Sequence, residues 1–236
     1  LADYNTAAYR DGKKSVIGLD QFGLTYTRDH MVYKIGRQDA TVGTTALLYS
    51  RSDSNVGKHY FVDGISASGK IGAMDISALL AQEDNAGPDN NRIYAIRTGY
   101  SPRDDFNFGL TLGRYHYDGG ENTNHWAVDG TRSFGKHSLT AEYAKSNSSN
   151  ENKAYAATWN YNCDAKTALY ITGFRVETNG DMGQQSDFDN DNRGVYYGVT
   201  HQFSDADGVE LTYKQQKTIS GGQDNTKFEA TFTHSF

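Results

Sequence analysis

Apolar and polar residues alternate along most of this chain. In the C-terminal segment the apolar residues are Phe228, Ala230, Phe232 and Phe236, and the residues interleaved with them are polar. A period of two is typical of a β-strand with one apolar and one polar face. The same alternation occurs in the segments 74–80, 106–112, 155–161 and 195–199. Since no segment of useful length shows a helical period, the pattern predicts an all-β protein.

The predicted connections are alternately short and long. Short turns are predicted at 28–29, 68–70, 101–104, 135–136, 163–165 and 204–208, and longer polar loops at 39–57, 83–91, 117–124, 147–152, 178–192 and 218–224. This alternation is typical of outer-membrane barrels, which have tight periplasmic turns and longer external loops. It predicts fourteen strands, at 2–9, 15–27, 30–38, 58–68, 71–82, 91–101, 105–117, 124–134, 137–147, 153–163, 167–177, 193–203, 208–218 and 225–236.

Composition agrees with a closed antiparallel transmembrane β-barrel that forms one domain over residues 1–236. Only 36% of the residues are hydrophobic, but a barrel strand faces lipid only with every second residue. Aromatic residues lie near the predicted strand ends, as interfacial girdles require: Tyr26, Tyr100, Phe106, Trp126, Phe134, Trp159, Phe203 and Phe236. The alternative is a soluble β-sandwich or barrel with an aromatic core. It is disfavoured because such a core normally contains more Val, Ile and Leu.

Charge and cysteine content exclude several classes of function. The net charge of −6 argues against a nucleic-acid partner. The single cysteine, Cys163, excludes an intramolecular disulfide and a multi-cysteine metal site. Leu1 is not an initiator methionine, so we expect that a signal peptide has been removed. No nucleophile elbow or zincin motif is present. We therefore expect neither an enzyme nor a cofactor.

Two features resemble a known family. The terminal Phe236 on an aromatic alternating strand is similar to the assembly signal of outer-membrane proteins. Segment 35–43, where a strand ends in Gly36-Arg37-Gln38, is followed by segment 61–65, which contains Asp63-Gly64. These segments resemble the porin barrel of diderm Firmicutes, whose members carry an N-terminal surface-layer homology (SLH) domain and a coiled-coil stalk.

The resemblance implies a homotrimeric porin with sixteen strands and a third external loop that folds into the pore. This sequence departs from the family because it shows neither tether nor stalk, and because it has two strands fewer. A missing N-terminal hairpin would restore sixteen strands and make loop 39–57 the third. The chain is then either an N-terminally incomplete porin or a fourteen-stranded variant.

Charged residues in the polar phase of the strands are expected to line the lumen. Near the membrane midplane, a Lys or Arg facing lipid costs about 2–4 kcal/mol, whereas in a watered lumen it costs little. Loop 39–57 contains the apolar segment 46–49 and is expected to fold inward and narrow the pore. The alternatives are solvated wall residues without individual roles, and a loop that covers the mouth or contacts another subunit. The pore-lining and constriction candidates are Lys34, Asp39, Arg51, Asp53, Asp75, Arg97, Glu142, Arg175, Glu210 and Lys214.

The sequence thus predicts a porin for passive diffusion of small hydrophilic solutes and ions across a bacterial outer membrane. Its expected partners are outer-membrane lipid, lipopolysaccharide and small polar solutes. One alternative is a solute-specific channel that uses Tyr49, Tyr115, Tyr117 and Tyr196 as stacking surfaces. Another is a barrel that serves mainly as a structural anchor of the outer membrane. Loop 178–192, with four aspartates and no basic residue before Arg193, is predicted to be a solvated acidic loop.

Overall fold

The structure is a computed structural model that describes residues 2–3, 16–17, 21–51, 61–83 and 90–235. All regular elements in these ranges are strands. They are β1 (Ala2–Asp3), β2 (Val16–Ile17), β3 (Phe22–Arg28), β4 (Met31–Gln38), β5 (Ala40–Val42), β6 (Tyr49–Arg51), β7 (Val62–Ile71), β8 (Met74–Glu83), β9 (Arg92–Arg103), β10 (Phe106–His116), β11 (Thr123–Phe134), β12 (His137–Ser146), β13 (Lys153–Asn162), β14 (Thr167–Val176), β15 (Asn192–Gln202), β16 (Asp207–Thr218) and β17 (Asp224–His234).

Thirteen of these strands form one antiparallel sheet in sequence order from β3 to β17, interrupted only by the separate β5–β6 hairpin between β4 and β7. The all-β antiparallel barrel predicted from the sequence is confirmed. Of the predicted first strand at 2–9, the structure describes residues 2–3, which form β1 and pair with β2; the rest of that prediction lies outside the described residues. The hairpin of β5 and β6 was not predicted, because it lies within the supposed loop 39–57. No helix among the described residues is long and apolar enough to cross a membrane.

Apolar side chains cover the outer surface of the sheet. Many large hydrophobic residues on alternate positions are 40% exposed or more. A continuous apolar surface of this kind marks a contact with membrane or protein, and strands of ten to twelve residues match the hydrocarbon thickness when tilted. Members of this belt are Leu24, Ile35, Ile65, Leu80, Ile96, Leu110, Val128, Leu139 and Ile171.

Polar side chains occupy the inner surface. Residues that pair directly across strands share a face, and inward threonines contact each other in this way. The hydroxyl of Thr131 lies 3.0 Å from that of Thr140, and Thr158 lies 2.8 Å from Thr172. The end with the long connections is the external end, by the loop-length rule for outer-membrane barrels. At that end the lumen is filled by an apolar cluster, which positions the candidate site.

Candidate channel constriction

The loop after β4 folds into the barrel. Leu47, Leu48 and Tyr49 are fully buried in one cluster with Tyr115 and Ala127, which lie on the inner face of β10 and β11. Burying a Leu or Tyr side chain here contributes roughly 1.5–3 kcal/mol to holding the loop inside. The described part of the predicted loop, residues 39–51, therefore lies inward as expected, and residues 52–57 lie outside the described residues.

Two carboxylates on the wall hold the tip of this loop. Thr44 donates its hydroxyl to Asp129 at 2.7 Å. The backbone N–H and hydroxyl of Thr45 both donate to Oε2 of Glu142, at 2.7 and 2.9 Å. Gly43 has φ +96°, and a Cβ at this position would lie 2.2 Å from the Glu142 carboxylate. Only glycine lets the loop approach the wall this closely.

The connection between β14 and β15, residues 177–191, also folds into the lumen. Its backbone pairs with the first loop: Ser50 N–H donates to Gln185 O at 2.6 Å, and Met182 N–H donates to Leu48 O at 2.7 Å. A third bond joins Asp187 N–H to Ala46 O at 3.2 Å. The two segments, 39–51 and 177–191, therefore form one unit inside the barrel, which we call the two-loop plug.

The prediction of a solvated acidic loop at 178–192 was wrong. Met182 is fully buried, Phe188 is 8% exposed, and even Asp181 is only 3% exposed. Met182 and Phe188 give the loop an apolar side, which packs in the lumen although the surrounding composition is acidic. Burial raises the pKa of the Asp181 carboxyl to about 7, against an ordinary value of 3.8. Asn190 donates its side-chain N–H to this carboxyl at 2.7 Å.

Small and aromatic side chains on the wall make room for the plug. Ala127, Ala144 and Ala154 on the inner face of β11–β13 are fully buried. On β14 the ring of Phe174 lies 4.9 Å from that of Phe188, a distance typical of aromatic pairs. The alanines provide a shallow wall where the backbone of the loops can come close, and the phenylalanines fill the remaining space.

Ion pairs also hold the wall residues that contact the plug. On the wall, Arg97 of β9 contacts Asp129 of β11, which accepts the hydrogen bond from Thr44, through Nη2–Oδ1 at 2.6 Å and Nε–Oδ2 at 3.0 Å. At the external end, Tyr49 donates to Glu83 at 3.0 Å, and the Arg51 guanidinium lies 3.8 Å from the same carboxylate. Since a buried carboxylate needs such partners to remain charged, these contacts fix the orientation of the loop as well as its position.

A cavity of about 920 Å³ remains between the plug and the inner wall of strands β12–β17. Threonines of the inner wall line it, among them Thr140, Thr158, Thr172 and Thr212. Charged and aromatic groups lie beside them on the same strands. Tyr170 donates to Glu210 at 2.7 Å, the Lys214 ammonium lies 2.7 Å from Glu229, and it also lies 4.9 Å from the ring centre of Tyr196. Asp187 of the plug borders the same space. The cavity is polar, and it can hold water and small solutes.

The structure places most of the predicted site residues on the inner face or in the plug. Glu210 and Lys214 border the large cavity, whereas Arg97 and Asp39 border a second cavity of about 170 Å³. Glu142 is buried on the wall and contacts the plug, and Arg51 is buried within the plug and donates to the backbone carbonyl of Phe61. Lys34 pairs with Ser66 on the inner face, and Asp75 lies 3.6 Å from Lys70. Asp53 lies outside the described residues.

Arg175 is a correction, because it lies on the outer surface. Its direct cross-strand partner is Tyr155, which is 47% exposed, while its neighbours Phe174 and Val176 point inward and are buried. Both faces of β14 are apolar here, because Phe174 and Val176 face the plug while Leu169 and Ile171, which share the face of Arg175, are exposed on the outside, so alternation assigned Arg175 to the wrong face. The guanidinium pairs with Glu177 at 3.1 Å.

Sequence reasoning missed several residues that build the constriction. Thr44 and Thr45 were treated only as part of a loop, and Glu83 as the first residue of a polar external loop. The tyrosines proposed as stacking surfaces divide into two groups. Tyr49 and Tyr115 are buried in the plug cluster with rings 6.4 Å apart, and only Tyr196 borders the large cavity. A signal for Tyr49 was available, since it ends an apolar segment within a polar loop.

Neither a protein-family model nor the sequence of a curated protein matches this chain. Solved structures do. OccK5 (OpdH) of Pseudomonas aeruginosa has a TM-score of 0.60 at 9% identity, covering 94% of this chain and 71% of that one. A loop L8 deletion mutant of OmpT, an outer membrane protein of Vibrio cholerae, has a TM-score of 0.61 at 15% identity, covering 95% and 82%. OpdL of P. aeruginosa has a TM-score of 0.57 at 10% identity, covering 89% and 69%. At these identities the likeness shows the fold alone, and this chain has the fold of a bacterial outer-membrane porin barrel.

Proposed function

We propose that this protein is a porin of a bacterial outer membrane, through which small hydrophilic solutes and ions diffuse passively. The observation that carries the proposal is the polar cavity of about 920 Å³ between the two-loop plug and strands β12–β17. A barrel of this size leaves an aqueous lumen unless loops fill it, and here the loops fill one side of the lumen only. No covalent step or cofactor is involved.

The charged residues divide into two roles. Asp129, Glu142 and Glu83 hold the plug through hydrogen bonds to Thr44, Thr45 and Tyr49. The groups that face the passage are Asp187, Glu210, Lys214 and Glu229, with Lys34, Asp75 and Arg97 elsewhere along the inner wall. Charges of both signs around a narrow aqueous path screen solutes by charge.

Single-channel recording in planar bilayers tests the proposal. Deleting residues 44–48 removes the tip of the plug, and the conductance should increase severalfold. A matched deletion of residues 119–121, which form an exposed external turn between β10 and β11, should leave conductance unchanged. A protein that folds but conducts in neither form is not a porin. Equal conductance in the wild type and the 44–48 deletion would place the constriction elsewhere.

A solute-specific channel is the second candidate, and the aromatic edge of the cavity favours it. Tyr196 and Phe188 border the cavity beside Lys214 and Glu210, and such a combination can stack and hydrogen-bond a ring-shaped polar solute. Addition of neutral sugars, basic amino acids and dicarboxylates should then block the ion current unequally. Tyr196→Leu should remove any block by sugars, whereas Tyr213→Leu, on the outer surface, should not.

The resemblance to SLH-domain porins supports a homotrimer as the assembled form. In the segments that carry it, Arg37 and Asp63 form a bidentate pair with both distances 2.9 Å, and the Arg37 guanidinium lies 5.5 Å from the ring centre of Phe22. The pair accounts for the occurrence of Gly-Arg-Gln with Asp-Gly on adjacent strands. Native mass spectrometry of the detergent-solubilised protein should give three subunits, and a monomer would contradict this assembly.

A further inference from the structure

Two glycines lie side by side on the inner face of the barrel wall. Gly99 on β9 pairs directly with Gly109 on β10, and Gly109 pairs directly with Asp129 on β11. Glycine in the interior of a strand is unfavourable, and it often marks a place where another group comes close to the backbone. Neither glycine has a left-handed φ, so the position requires space and not a special backbone conformation. We call Gly99 and Gly109 the glycine seat.

The guanidinium of Arg97 occupies the space above the glycine seat. A Cβ on Gly109 would lie 2.5 Å from its Nη2 atom and 2.8 Å from its Cζ atom, and a Cβ on Gly99 would lie 2.9 Å from its Nη1 atom. The Cβ on Gly109 would also lie 2.7 Å from Oδ2 of Asp129. These distances are shorter than van der Waals contact. An alanine at position 109 therefore has to displace the guanidinium, the carboxylate or both.

The glycine seat lets Arg97 reach Asp129 with two hydrogen bonds. Arg97 lies two residues nearer the external end of β9 than Gly99, and its side chain crosses both glycines to β11. There Nη2 donates to Oδ1 at 2.6 Å and Nε donates to Oδ2 at 3.0 Å. The Asp129 side chain is fully buried, and the Arg97 side chain is 17% exposed. A contact at two points fixes the plane of the carboxylate, which the ammonium of a lysine does not do.

The position of this carboxylate matters to the plug, because Oδ1 of Asp129 also accepts the hydroxyl hydrogen bond of Thr44 at 2.7 Å. Thr44 lies at the tip of the two-loop plug and borders the large cavity. Arg97 borders the small cavity, beside strands β7–β9 on the other side of the plug. The contacts of Arg97 therefore bear on a wall of the large passage from the opposite side of the plug.

Arg97 also offsets a repulsion between the two carboxylates that hold the plug. Asp129 pairs directly with Glu142 on β12. Directly opposed residues have Cβ atoms about 4.5–5.5 Å apart, and like charges at this distance are destabilising. Glu142 bonds Thr45 through Oε2, whereas its Oε1 atom is buried and has no hydrogen-bond partner among the described residues. Arg97 supplies the pair with a positive charge, so its loss affects both contacts of the plug tip.

We propose that Arg97 and the glycine seat position the plug: they hold the Asp129 carboxylate where Thr44 needs it, and they thereby set the width of the large passage. Arg97 is a positioning residue that acts through the shape of its guanidinium. The sequence had assigned it to the pore lining, where its charge alone would count. This inference rests on the proposed channel function.

Single-channel recording of the whole protein in planar bilayers tests the proposal with Arg97→Lys, which keeps the charge, adds no volume and loses the contact at two points. We expect the fraction of time in a high-conductance state to increase about tenfold or more. If Arg97 acts through its charge, Arg97→Lys should behave like the wild type and only Arg97→Gln should change the current. That result overturns the proposal.

Gly109→Ala disturbs the same contact from the wall, and Gly173→Ala is its matched control. Gly173 also lies within a strand, and a Cβ there would meet nothing within 4 Å. Gly109→Ala should increase the high-conductance fraction about as much as Arg97→Lys does, whereas Gly173→Ala should open like the wild type. A Gly109→Ala protein that melts at a lower temperature but opens like the wild type has only lost stability, and this outcome overturns the role of the seat.

Double variants show whether these residues act through one contact. Gly109→Ala/Arg97→Lys should open no more than either single variant, because effects on one contact do not add. Thr44→Val breaks the contact from the plug side and leaves the wall intact, so Thr44→Val/Arg97→Lys decides the question if Gly109→Ala does not fold. Additive effects overturn the proposal. A wild type that does not conduct refutes the porin function, whereas a conducting wild type with unaltered variants refutes only the positioning role.

Discussion

Thr45 and Glu142 are joined by two hydrogen bonds to one carboxylate oxygen, at 2.7 Å from the backbone N–H and 2.9 Å from the hydroxyl. The threonine belongs to a loop that leaves the sheet after β4, and the glutamate lies on the inner face of β12. The contact therefore fixes the plug across the interior of the barrel.

Removing one of these bonds should loosen the plug. Hydrogen bonds to a charged group contribute about 1.5–3 kcal/mol, so Thr45→Val should raise the fraction of time in a high-conductance state about tenfold or more. Thr226→Val, on the exposed outer side of β17, is the matched control. Single-channel dwell times measure the effect, and identical dwell times for wild type and Thr45→Val would show that this contact does not hold the plug.

Gly43 should be required for the same contact. Gly43→Ala introduces a Cβ 2.2 Å from the Glu142 carboxylate at φ +96°, and such strained positions cost about 1–3 kcal/mol. We expect a lower melting temperature and more frequent opening. Gly119→Ala has a comparable φ of +74° but open space around the Cβ. If both substitutions have the same effect, backbone conformation explains it and the close approach to Glu142 does not.

Alternation in the sequence was sufficient to predict the strands and, for most of them, which face meets lipid. It failed where both faces are apolar. On β14 the buried Phe174 and Val176 contact the plug, and so Arg175 was assigned to the wrong side. Alternation shows that a strand has two faces. Where both faces are apolar, it does not show which face contacts lipid and which contacts the plug.

The plug itself was only partly predictable. The apolar segment 46–49 indicated that the first loop packs against something. The second loop gave a weaker signal, because Met182 and Phe188 are separated by five residues, most of them polar. Its inward position depends on backbone bonds to the first loop, such as Met182 N–H to Leu48 O. Such bonds carry no sequence signature.

Channel opening should depend on pH through Asp181. Burial raises the pKa of this carboxyl from 3.8 to about 7, so the packed loop takes up a proton that the solvated loop has lost. Packing of the plug is therefore most favourable below about pH 4, weakens as pH rises from 4 to 7, and levels off above 7. High-conductance openings should become more frequent over that range.

Variants at two aspartates separate this effect from the rest of the loop. Asp181→Asn should remove the pH dependence and keep high-conductance openings at the low frequency expected at low pH. Asp191→Asn should retain the dependence, because Asp191 lies at the loop end and accepts a hydrogen bond from Ser220 N–H at 3.1 Å. Recordings between pH 4.5 and 8 provide the measurement. A pH dependence that persists in Asp181→Asn would assign the titration to another group.

The last prediction concerns ion selectivity, which should favour cations weakly. Of the aspartates in the second plug segment, Asp189 is neutralised by Lys227 at 2.8 Å, and Asp191 contacts Ser220. Asp187 borders the large cavity together with Glu210. Charges that border a narrow path act at short range and are screened less by salt than those at the mouth.

Asp187→Asn should therefore reduce the cation preference more than Asp191→Asn does. Reversal potentials in a KCl gradient, at low and at high salt, provide the measurement. Lys214 opposes the effect, and its ammonium is paired with Glu229 at 2.7 Å, so Lys214→Gln leaves this carboxylate without its counter-charge and should increase the cation preference. Anion preference at both salt concentrations would show that the basic residues of the inner wall, such as Lys34 and Arg97, outweigh the acidic passage. A cation preference that fades with salt and is unaffected by Asp187→Asn would place its origin in the external loops.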